Sequence, residues 1–130
     1  MGNLDLPHSY TYIHDVAHGL ATLGAEPAAL GRAWLLPVAP PVTQRTMAHL
    51  IGQALGRPVR IQRLPKLAIQ AFGLVNADMR EFTEMFYQYT EPQIVDSQAI
   101  EHHFGLRATP LEDALQQTIA WYRTQPAKTA

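Results

Sequence analysis

Apolar residues recur at helical spacing early in the chain. Ile13, Val16, Ala17, Leu20 and Leu23 share one face, and Gly24 follows where a helix would stop. Residues 25–31 read as a loop. Arg32-Ala33-Trp34-Leu35-Leu36 is a short apolar run closed by Pro37, the pattern of a buried strand. The stretch 37–41 is a connection, because its prolines donate no ladder hydrogen bond. Thr43 is placed to cap a helix whose stripe is Met47, Leu50, Ile51, Ala54 and Leu55, with Gly56 and Pro58 ending it. Val59 and Ile61 then alternate with Arg60 and Gln62, a half-buried strand that stops at Pro65. Strand, helix and strand within about thirty residues predict a βαβ unit with parallel strands and a right-handed crossover.

Beyond Pro65 the spacing turns helical again. Leu67, Ile69, Ala71, Phe72 and Val75 are apolar nearly all round, which predicts a buried helix. Asp78 and Glu81 form a capping pair for the next, with Met79, Phe82, Met85, Phe86 and Tyr89 as its apolar face. A short helix follows Asp96-Ser97 and ends at Gly105. Thr109-Pro110-Leu111-Glu112 then sets a cap, an N1 proline and an N3 glutamate for the last helix. Leu111, Ala114, Leu115, Ile119 and Tyr122 are its expected inner face. The expected architecture is a single helix-rich α/β domain over 1–130. Residues 1–26 form an N-terminal helix segment, 27–64 the βαβ unit with its short parallel strand pair, 65–124 a helical part and 125–130 a loose tail.

Composition narrows the function classes. With 130 residues, 47% of them hydrophobic and 16% charged, the chain suits one folded domain. Ten Lys+Arg against eleven Asp+Glu leave a net charge of -1, without the basic footprint of a nucleic-acid binder. The absence of cysteine excludes disulfides, thiolate metal sites and a cysteine nucleophile. The first dozen residues carry no basic leader and apolar stretch, and the apolar run around 33–41 is too short and Pro-rich for a bilayer, so a cytoplasmic protein without membrane contact is expected.

Candidate chemistry is sparse. His14-Asp15-Val16-Ala17-His18 places two histidines on one helix face, as in H-E-x-x-H zinc sites. Its middle acid is one methylene shorter than the usual Glu, however, and no third ligand follows, so surface histidines and no metal are expected. His102-His103 has no nucleophile or carboxylate partner at a recognisable spacing. Arg57, Arg60, Arg63 and Lys66 gather four cations around the second expected strand. Arg63 and Lys66, at its C-terminal end, are the candidates for a phosphate or carboxylate clamp. Phe72, Met85 and Tyr89, from the aromatic- and Met-rich helices, are candidates for an apolar substrate wall. The chain has no G-x-G-x-x-G, G-x-x-G-x-x-G, P-loop or G-x-S-x-G, and no Tyr is followed by Lys four residues on. No catalytic or cofactor-binding residue is therefore assigned.

The run Ser9-Tyr10-Thr11-Tyr12-Ile13-His14-Asp15-Val16-Ala17-His18-Gly19 resembles the "Y-I-H-x-x-D-x-A" stretch of extended short-chain dehydrogenases, the NAD-dependent sugar epimerase/dehydratase family. Gly31-Arg32-Ala33-Trp34, Thr43, Leu55-Gly56, Asp96-Ser97, Phe104-Gly105-Leu106, Thr109-Pro110-Leu111 and Trp121-Tyr122 follow that family's C-terminal part in order. The resemblance implies a substrate-binding portion, inactive alone, whose Rossmann partner domain binds NAD(P) and carries Tyr and Lys. No cofactor is then expected in this chain, while NAD(P) is implied for a full-length relative. Two departures point away from a UDP-sugar. Ser9-Tyr10-Thr11 stand where nucleotide-sugar epimerases often have Arg, and two inserted helices from Lys66 to Thr90 replace the usual R-x-G-D loop. A small substrate, sugar-like or more apolar, is expected. The rival expectation is a free-standing ligand-binding or interaction module that self-associates through the face a Rossmann domain would cover.

Overall fold

The computed structural model describes residues 3–61 and 89–126. Their elements are β1 (Pro7–His8), α1 (Ile13–Ala25), a 3-10 turn (Pro27–Ala29), β2 (Val42–Thr43), α2 (Gln44–Leu55), α3 (Gln98–Phe104) and α4 (Leu111–Thr124). The described residues are thus mixed α/β, with four α-helices and one two-stranded antiparallel sheet.

β1 lies between two neighbours. Pro7 stands opposite Thr43 and His8 opposite Val42 in the antiparallel pair, while a parallel bridge joins His8 to Gln93. Ser9 N donates to Gln93 O at 2.8 Å, Gln93 N to Pro7 O at 3.1 Å and Asn3 N to Tyr89 O at 2.9 Å. β2 is short for a local reason. Pro41 before it has no N–H, and α2 begins directly after Thr43, whose Oγ1 accepts from Thr46 N at 3.0 Å.

The expected parallel strand pair is corrected by the structure. Neither 32–36 nor 59–61 is a strand, and the sheet that does form is antiparallel. In the buried stretch 37–39, Pro37 has no donor to place in a ladder, and Val38 N donates to Ser97 Oγ at 3.3 Å. Before it, the Trp34 indole N–H donates to Ala29 O at 2.9 Å, and the Arg32 guanidinium lies 3.9 Å over the Trp34 ring. Val59, Arg60 and Ile61 are all exposed, so their alternation has no buried side.

Helix ends follow the expected residues in part. Gly56 and Gly105 close α2 and α3 in the left-handed region, at φ 70° and 68°. Gly24 does not end α1, which continues to Ala25 and stops as the backbone turns extended at Glu26. Thr109 does not cap α4; Pro110 holds that position. The Thr109 side chain instead bonds across to α1. Asp15 Oδ2 accepts from Thr109 N at 2.8 Å and Asp15 Oδ1 from Thr109 Oγ1 at 2.7 Å.

Among the described residues the buried apolar ones are Leu4, Ala29, Pro37, Val38, Ala39, Ile100, Leu106 and Ala114. α2 packs on α4, with Tyr10 beside them in a crevice of about 340 Å³ that includes Met47, Ile51 and Leu115. Partial burial there raises the Tyr10 pKa, since the phenolate loses water. Several residues expected to face inward do not: Ile13, Leu20 and Tyr122 are exposed. Among the described residues no helix is long and apolar enough to cross a membrane.

Asp15→Ala removes both acceptors of Thr109 and should lower unfolding free energy by about 2–3 kcal/mol. Ala at the exposed His18 on the same helix should change it by less than about 0.5 kcal/mol. Urea unfolding of the two variants checks this, and equal midpoints would show that the Asp15–Thr109 link stabilises nothing.

Candidate functional site

α2 builds one wall of a groove of about 530 Å³. Arg45, Ala48, His49, Gly52, Gln53 and Gly56 recur every three or four residues and so share a helix face. The chain leaving α2 supplies the opposite wall with Arg57, Pro58, Val59 and Ile61. Gly52 permits that return. A Cβ built there would lie 3.2 Å from Arg57 O and 3.5 Å from Val59 N, and Arg57 N donates to Gly52 O at 3.1 Å.

The groove's cations are not equivalent. Arg45 is engaged by Asp5, with Nε to Oδ1 at 2.9 Å and Nη2 to Oδ2 at 3.3 Å. The hydrogen bond that Arg45 donates to Asp5, then the Asp5 charge, raises the Arg45 pKa. Both side chains are well exposed, so solvent screens the pair. Arg57 makes no ion pair among the described residues and lines the groove beside apolar Val59 and Ile61. The site therefore suits an anion attached to an apolar body.

Of the residues expected to bind substrate, Arg63, Lys66, Phe72 and Met85 lie outside the described residues. Tyr89 is half-buried, its carbonyl accepts from Asn3 N, and it does not line the α2 groove. Arg60, from the same cation run, is exposed and also outside that lining. His14 and His18 are exposed on α1. Among the described residues no group of three or more His, Cys, Asp or Glu side chains gathers at metal-binding distance.

Two further cavities escaped the sequence reading. One, about 470 Å³, lies between residues 38–41 and the start of α3, with Asp96, Ser97, Glu101, His102 and Arg107 in its walls. The signal for it was Ser97 followed four residues later by Glu101, a spacing that puts both on one helix side. The Ser97 hydroxyl donates to Glu101 Oε1 at 2.7 Å. The other, about 500 Å³, is formed by Tyr12, Ile13 and His14 against Gln117, Thr118, Trp121 and Tyr122. There the Tyr12 hydroxyl donates to Gln117 Oε1 at 3.1 Å.

Compared with protein-family models, curated proteins and solved structures, the chain matches none.

Gly52→Val should destabilise by about 1–3 kcal/mol, because its branched Cβ meets backbone that cannot swing away. Gly24→Ala should stabilise by up to about 1 kcal/mol, since a Cβ there meets nothing within 4 Å. Thermal unfolding of both variants reads the contrast; a Gly52→Val protein as stable as the parent would mean the groove wall is not held against α2.

Proposed function

We infer that this chain supplies the ligand-binding walls of an NAD(P)-dependent epimerase, dehydratase or reductase whose cofactor-binding Rossmann domain lies elsewhere. One observation carries the reading. The start of α1 and the end of α4 present a large apolar and aromatic face to solvent, with Ile13 68%, Trp121 56% and Tyr122 67% exposed. Burying such side chains against a second surface gains roughly 25 cal/mol per Å² of apolar area.

The bonding within the described residues supports the same reading. Pieces of the ordered motif on which the resemblance rests hold one another: Asp15 of the first bonds Thr109 of Thr109-Pro110-Leu111. Trp34 of Gly31-Arg32-Ala33-Trp34 meets Phe104 of Phe104-Gly105-Leu106 edge to face at 4.9 Å. Thr43 and Gly56 close the two ends of α2. The parallel βαβ unit contributes nothing to the case, since it does not form. In this reading the α2 groove takes the substrate, an anion with an apolar portion. Arg57 supplies the charge, and Val59 and Ile61 the apolar contact.

The chain has no G-x-x-G-x-x-G cradle for a dinucleotide pyrophosphate. Calorimetric titration with NAD(H) and NADP(H) should therefore give no binding up to about 1 mM. Phenyl phosphate should bind, and Arg57→Gln should weaken it by about tenfold. Micromolar dinucleotide binding by this chain would overturn the assignment of the cofactor to another domain. Phenyl phosphate binding that Arg57→Gln leaves unchanged would overturn the groove.

A further inference from the structure

The cavity between residues 38–41 and α3 has no part in the reading above. Its walls combine opposite charges that do not meet. Asp96 and Glu101 on one hand, Arg107 and His102 on the other, make no ion pair among the described residues. Asp96 Oδ1 accepts only from Gln98 N, at 2.9 Å. Glu101 is half-buried and anchored by one oxygen to Ser97, itself 5% exposed. Its second carboxylate oxygen keeps its acceptor capacity. Besides these charged groups and the polar Ser97 and Gln98, the lining holds the apolar Val38, Ala39 and Val95.

A simple anion in this space would face two carboxylates, and a simple cation would face a guanidinium. A neutral polyol would leave every charge without a counter-charge. One molecule bearing both signs answers each wall in turn. We propose that this cavity binds an α-amino acid with a small branched apolar side chain. Its ammonium lies at Glu101 and Asp96, its carboxylate at Arg107 and its side chain against Val38, Ala39 and Val95. The volume of about 470 Å³ admits one such molecule with its bridging water. Fixing Glu101 through buried Ser97 lowers the ordering cost of binding, because one of the two charged walls is already held.

The probes are L-valine, isobutylamine, which lacks its carboxylate, and isovalerate, which lacks its ammonium, each titrated calorimetrically into the full chain. L-valine should bind, and both analogues should bind at least about tenfold more weakly. Arg107→Gln, a change at an exposed side chain that leaves the fold intact, should weaken L-valine by at least about tenfold. Glu101→Gln, which still accepts from Ser97, should weaken L-valine and spare isovalerate. No L-valine binding up to about 10 mM, an analogue that matches it, or an Arg107→Gln protein that binds it unchanged would each overturn the proposal. None of these outcomes bears on dinucleotide or phenyl phosphate binding, so this inference and the proposed function fail separately.

Discussion

A short segment near the chain's start, a turn followed by β1, holds both described stretches together through backbone hydrogen bonds on each side. Residues 3–9 find them in two places. Pro7 and His8 pair with Val42 and Thr43, and Arg45 N donates to Leu4 O at 3.2 Å. On the other side, Asn3, Pro7 and Ser9 bond to Tyr89 and Gln93, and the Ser9 hydroxyl accepts from Val95 N. This one short segment sets the start of α2 and the approach to α3, and with them the α2 groove and the charged cavity. A second link, Asp15 to Thr109, then fixes α1 to the entry of α4.

The same economy explains why so much apolar surface remains outside. With Leu4, Ile100 and Leu106 as its larger buried aliphatics beside Val38, three alanines and Pro37, the described core is small. The bulkier apolar groups, Trp121, Tyr122, Ile13 and Leu20, stand on helix faces turned to solvent. Arranged this way, the described residues leave grooves lined by charged and apolar groups together, and an apolar helix face open to solvent.

Among the described residues the four helices were legible in the sequence and the strands were not; the two helices expected from Lys66 to Thr90 fall almost wholly outside those residues. Helix stripes are set within three or four residues, so Met47, Ile51 and the Thr43 cap declare α2 locally, as Gly105 declares the end of α3. The strand signals at 32–36 and 59–62 were apolar runs beside proline. Which partner such a run meets is a long-range matter, and here Ser97, fifty-nine residues on from Val38, takes the place of a neighbouring strand. The strands that do form, two residues each, are too short to leave a periodic trace. Thr109 shows the same limit: its cap-like sequence was read locally, but Asp15, ninety-four residues away, claims its hydroxyl. Of the cation run, Arg57 lines the α2 groove and Arg60 does not, Arg63 and Lys66 lie outside the described residues, and Tyr89 accepts a backbone hydrogen bond from Asn3 N. The charged cavity left only a local trace, the Ser97–Glu101 spacing, because its walls join residues 38–41 to residues 95–108, far apart in sequence.

Sedimentation velocity at tens of micromolar, run on the parent chain and on Trp121→Glu, tests most directly whether the α1–α4 face serves a different domain. The account predicts a monomer for both, since the face fits a partner of another kind. A concentration-dependent dimer that Trp121→Glu dissolves would contradict it and make self-association the face's purpose.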